Sequence, residues 1–188
     1  MAITLEKKKP ISLVKEKPGM QHIVAGLGWD EAIINGTAVD CDVSVFLLGA
    51  NGKLVSDEHF IFYNNLKSPD DAVAHTGDSR DGDGDGDDES IKIDLSKIDG
   101  RVEYLYFAIT IHESETRGHH FGNVANSFIK IRNGADNAVL CQYQLRESFD
   151  GQDSLIIASL ARNGGAWNVE ALGQPFSGGL ATLIELYQ

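Results

Sequence analysis

The sequence predicts an all-β chain folded as a β-sandwich, and three observations carry that prediction. Short apolar or alternating runs of strand length follow one another along the chain. Turn residues separate them at near-regular spacing, most sharply at Asn51-Gly52, Asn133-Gly134 and Asn163-Gly164-Gly165. No segment before the C-terminus sustains a 3.6-residue period. Several short strands so spaced imply antiparallel sheets packed as a sandwich or closed as a barrel.

The elements follow in order. "AITLE" and "ISLVK" precede Pro18-Gly19, and "HIVAGLGW" runs to Asp30. "DCDVSVFLL" ends at the hairpin signal Asn51-Gly52, and "HFIFYN" follows. "SIKIDL" places Ile91, Ile93 and Leu95 on one face. "VEYLYFAITIH" is rich in aromatic and β-branched residues, as strands are. "SFIKIRN", "AVLCQYQL", "SLIIASLARN" and "AWNVEAL" complete the strands. After Gly178-Gly179, "LATLIELYQ" predicts a short C-terminal helix. No repeat and no Pro/Ser linker divides the chain, so one domain over residues 1–188 is expected.

Composition bounds the function. Apolar residues make up 42% of the chain, enough for a packed core. The formal net charge is −12, which argues against nucleic acid as a partner, since phosphate binding needs clustered Lys and Arg. The lysines at 7, 8, 9, 15 and 17 read as a solubilising arm. Cys41 and Cys141 stand alone, a hundred residues apart, and read as buried reduced thiols. No apolar stretch follows the basic N-terminus and none approaches a membrane span, so no secretory signal or transmembrane segment is expected, and a cytoplasmic location is.

Half of the net charge sits in "GDSRDGDGDGDDES" at positions 77–90, where seven carboxylates face one arginine. Such a run is commonly a solvated spacer. Its direct passage into the strand "SIKIDL" and the alternation of Gly82, Gly84 and Gly86 with aspartates point instead to a tight loop that converges its oxygens. Carboxylates about 7 Å apart repel by roughly 0.6 kcal/mol even in water, and a divalent ion reverses that sign. An all-oxygen ligand set disfavours zinc and copper, and a crowded, adaptable loop favours calcium over magnesium. The EF-hand pattern fails: with Asp81 first, position 12 is Lys92, and with Asp83 first, Asp88 takes the obligatory glycine position. Asp30, the pair Asp40 and Asp42, and Asn64-Asn65 stand at strand ends, where they can supply further oxygens, for a second ion among other roles.

"GLGWD" (26–30), "DCDVSVFLL" (40–48), "FYNNL" (62–66), "HTGDSRDGDGDGDDESIKIDL" (75–95), "ITIHE" (109–113), "FGNVANSFIKIRN" (121–133) and "GAWNVEALGQPFSGGL" (165–180) together resemble the TerD family of tellurite-resistance and stress proteins, over nearly the whole chain. The resemblance implies a sandwich that binds one or two calcium ions through acidic loops at one end. Position by position it carries the ligand role to Asp78, Asp85, Asp87, Asp88 and Glu89, and places Asp30, Asp40, Asp42, Asn64 and Asn65 in the other motif blocks. It gives Asp81 and Asp83 less weight. It implies a role in resistance to tellurite and chemical damage, with unidentified protein partners, among them other tellurite-resistance proteins at the membrane.

Other sites are weaker. His112, His119 and His120 read as a surface loop, and His75 as a support for the acidic run. No nucleophile elbow, P-loop or dinucleotide fingerprint is present, so a non-enzymatic calcium-dependent binding or scaffold module is expected. The alternatives are a metal-dependent hydrolase using the clustered carboxylates, and an ion that serves stability alone.

Overall fold

The computed structural model describes residues 2–30, 32–76, 87–147 and 149–188. Its strands are β1 (Ile3–Thr4), β2 (Ile11–Ser12), β3 (His22–Gly28), β4 (Ile33–Ile34), β5 (Thr37–Ala38), β6 (Cys41–Leu48), β7 (Phe60–Ile61), β8 (Val73–His75), β9 (Glu89–Asp94), β10 (Tyr104–Ile111), β11 (Phe128–Asn133), β12 (Val139–Gln144), β13 (Ser154–Asn163) and β14 (Ala166–Phe176). Two single-turn α-helices, α1 (Leu13–Glu16) and α2 (Ser114–Arg117), two 3-10 turns (Asp57–His59 and Phe121–Asn123) and the terminal α3 (Gly179–Tyr187) join them.

The first sheet has the order β1-β12-β11-β3-β9-β8 and the second β2-β14-β13-β10-β6-β7. All pairings between these strands are antiparallel except β1 with β12. The expected sandwich and terminal helix are therefore present. Three expected strands shrank to two residues each: "AITLE" gives β1, "HFIFYN" gives β7, and "ISLVK" gives β2 before turning into α1. The small β4–β5 hairpin turns on Asn35-Gly36, both at positive φ, the pattern a tight two-residue hairpin requires.

The main core lies between the sheets. Ile23, Ala25 and Leu27 of β3, with Ile91 and Ile93 of β9, face Val43, Val45 and Leu47 of β6 and Leu105, Phe107 and Ile109 of β10. Alternation holds along β9 and β11, whose outer residues are mostly half-buried, but fails along β6, which is buried on both faces. The reason is α3, whose Leu183 and Tyr187 pack with Phe46, Leu48, Phe60, Ala108 and Ile156 on the outer side of the second sheet. No helix is long and apolar enough to cross a membrane among the described residues.

Candidate metal site at the acidic end of the sandwich

On β3, Ile23, Ala25 and Leu27 point inward, so Gly26 and Gly28 fall on the outer face, yet both are buried. The residues that bury them are those that follow the acidic segment. A Cβ built on Gly26 would lie 1.6 Å from an Asp87 carboxylate oxygen. One on Gly28 would lie 2.5 Å from the Phe128 ring and 3.0 Å from Asp88. The two glycines are therefore spaces that let carboxylates lie against the strand.

Each of the three carboxylates is held differently. The Asp87 side chain is 3% exposed and is ion-paired with Arg132 of β11. The Asp88 N–H donates to Leu27 O at 2.9 Å, and Asp88 Oδ2 accepts from the Trp29 N–H at 2.9 Å. These bonds extend the β3–β9 ladder past its last paired residues, Leu27 and Glu89. Glu89 points inward and crosses the core. Its Oε2 accepts from the Val43 N–H of the opposite sheet at 2.8 Å and lies 3.4 Å from His75 Nε2, with both side chains almost fully buried. His75 thus stands beside Glu89 in a polar clasp between the sheets.

That clasp brings in the second group of carboxylates. Asp42 precedes Val43, its Oδ2 lies 3.5 Å from His112 Nδ1, and the Asp40 carbonyl accepts from the His112 N–H at 2.8 Å. Cys41 points inward between them. Burial first, and then the charges of Asp40, Asp42, Glu89 and Asp88, push its thiol well above the usual value. Four of the sequence-selected carboxylates therefore act on one buried atom.

Asp30 and Asn65 make contacts of their own. Asp30 is exposed and its Oδ2 accepts from Asn126 Nδ2 at 2.6 Å. Asn65 braces its own turn, with Nδ2 donating to the carbonyls of Phe60 and Glu58, while Asn64 is exposed. Asp78 and Asp85, with Asp81 and Asp83, lie outside the described residues. Among the described residues, no three His, Cys, Asp or Glu side chains converge as a metal-binding group. The histidine reading needs one correction: His119 is 3% exposed and belongs to the interior, because the turn after α2 folds it inward.

Sequence reasoning also missed Gly26, Gly28, Arg132 and Asp153. The signal for the glycines was available, since two glycines spaced by two in a strand mark a close approach on one face. Asp153 lies by α3. Its oxygens accept from Ser114 Oγ, Ser154 Oγ and the Gly179 N–H at 2.8–2.9 Å. Burial opposes its ionisation, but these bonds outweigh burial and hold its pKa below the usual carboxylate value. With Asp42, Tyr63 and Glu113 it lines a cavity of about 400 Å³.

An antiparallel sandwich with carboxylates gathered at one end defines the class: an acidic-ended β-sandwich. The TerD domain family matches residues 1–187, and the chain belongs to that family. It is 43% identical to tellurium resistance protein TerD of an Alcaligenes species, over 100% of this chain and 97% of that one. It is 41% identical to general stress protein 16U of Bacillus subtilis, again over 100% and 97%. A crystal structure of a homologue of telluride resistance protein TerD from Streptomyces coelicolor shares the fold, with a TM-score of 0.71 at 20% identity over 90% of this chain and 99% of that one.

Proposed function

We propose that this chain is a calcium-binding stress-response protein of the tellurium-resistance kind, and that the ion works at the acidic end of the sandwich. One observation carries the reading: Glu89 ties the end of the acidic run to Val43, one residue after Asp42 and three after Asp40, while Asp87 is seated on Gly26. A buried carboxylate needs a compensating cation, and a set of carboxylate and carbonyl oxygens suits calcium. The buried Asp87 carboxylate has Arg132 beside it and, among the described residues, no further donor. Asp78 and Asp85 would add ligands from the acidic segment.

The protein's own residues supply the framework. Gly26 and Gly28 leave room, Asp88 locks the segment's end to β3, and Glu89 ties that end to β6. An ion bound there would fix the acidic end and present it to a protein partner, including other tellurite-resistance proteins at the membrane. A binding role without catalysis is supported by the thiols. Burial and neighbouring charge push up Cys41, and burial, then Glu16, pushes Cys141 up to about 12, so neither is a ready nucleophile. The names of the relatives support the stress and tellurium-resistance role.

Calorimetric titration with calcium and with magnesium tests the ion. Calcium is expected to bind more tightly, and equal, millimolar-weak binding of both would overturn the reading. Capture from lysate in calcium or in chelator tests the partner, and calcium-independent capture would leave the ion a stabilising role only.

A further inference from the structure

The Asp87 side chain is 3% exposed and already has a cation beside it, Arg132. We infer that Arg132 is an internal counter-ion that holds Asp87 on Gly26 in the absence of metal and competes with calcium for that carboxylate; this rests on the calcium reading above.

The register of the first sheet explains why the partner is Arg132. Ile129 and Ile131 of β11 point inward, so Phe128, Lys130 and Arg132 line the outer face beside β3. Lys130 pairs directly with Gly26, Phe128 with Gly28 and Arg132 with Val24. The nearest cation by register is therefore Lys130. Its Nζ, however, lies over the Phe128 ring at 3.9 Å from the centroid. Arg132, one pair further along, reaches diagonally to Asp87 instead and is itself only 17% exposed. A guanidinium also offers a planar fork of donors that matches a carboxylate.

An incoming calcium ion must meet this charge. Like charges in a poorly hydrated place repel, so the ion and the guanidinium cannot share the Asp87 carboxylate without loss of affinity. The consequence is a division of labour. Arg132 stabilises the metal-free sandwich and weakens the site, setting the calcium concentration at which the acidic end responds.

The test is calcium calorimetry and thermal melting on the full chain, wild type against Arg132→Gln. The variant is expected to bind calcium roughly tenfold more tightly, since a competing charge is gone. Without metal it should melt below wild type, and saturating calcium should close that gap. Binding by wild type with unchanged or weaker affinity in the variant overturns the inference and leaves the calcium reading standing. No binding by either protein up to millimolar calcium overturns both. Should the variant fail to fold, the Arg132 Nε–H resonance of wild type decides. Calcium should shift it and speed its hydrogen exchange, and an unmoved resonance at saturation overturns the competition.

Discussion

The acidic end of the first sheet and the outer face of the second are covered by opposite means. Over the first sheet, Asp87 and Asp88 lie on Gly26 and Gly28, so the cover is made of charge laid on missing side chains. Over the second sheet, α3 lies on a stack in which the Phe46 and Phe60 rings are 4.4 Å apart and the Phe60 and Phe62 rings 4.5 Å apart. Tyr187 joins it 5.0 Å from Phe46. One face is closed by bulk and area, the other by electrostatic pairing with little apolar gain. The first kind of closure responds to volume and the second to ions and pH.

The comparison breaks most visibly at Phe46. Phe46→Ala should destabilise the protein by about 3–5 kcal/mol, through a cavity in the aromatic stack. Denaturant unfolding should show this loss while the calcium-induced rise in melting temperature keeps its size. A vanished calcium response would mean that the faces are not independent.

Gly26→Ala should do the reverse. The added methyl has no room beside Asp87, so the carboxylate must leave its seat, with a loss of about 1–3 kcal/mol from overpacking. Calorimetry should show calcium affinity falling by a larger factor than stability suggests. Wild-type calcium affinity in this variant would show that Asp87 is not needed at the site.

Asp153→Ala sharpens the comparison from the other face. Removing the acceptor for Ser114, Ser154 and the Gly179 N–H should cost about 1–3 kcal/mol. A helix as short as α3 depends on docking for its stability. Faster amide exchange across residues 180–187, with β3 and β9 unchanged, is the expected readout.

The smallest effect is that of mild acid. Asp153 and Asp70 both have folded pKa values below the usual carboxylate value. For Asp70, burial acts against ionisation, and hydrogen bonds from Ser68, Ala72 and Asp99 overcome it. A lowered folded pKa means that the folded state binds fewer protons than the unfolded one. The stabilisation is therefore complete above about pH 4 and is lost as pH falls below it, through the folded values. Melting temperatures between pH 7 and pH 3 should stay flat to about pH 4 and then decline. The calcium-linked rise should fade over a similar range as protons displace metal. A calcium response as large at pH 4 as at pH 7 would count against carboxylate ligation.

Strand content was legible because the relevant signals are local. Ile91 and Ile93 alternate with Ser90 and Lys92, and "SLIIASLARN" became β13 residue for residue. The gathering of carboxylates was legible as composition, but its geometry was not. Nothing in "DCDVS" says that Val43 offers its N–H to Glu89 from the other sheet, because that bond crosses 46 positions. Asn65 looked like a ligand by type, and its amide is occupied in bracing a turn. His119 looked exposed because glycine and arginine surround it, yet the fold turns it inward.

By itself the sequence determined the period of each strand, the turns, the terminal helix and the oxygen chemistry of the acidic run. These depend on neighbours one to four residues away. Only the tertiary structure decided which carboxylate meets which counter-charge. Asp87 meets Gly26 and Arg132, and Glu89 meets Val43 and His75, because sheet register and the packing of two sheets bring distant backbone together. Charge compensation in a buried site is a matter of distance in space, and a linear chain records residue types without those distances.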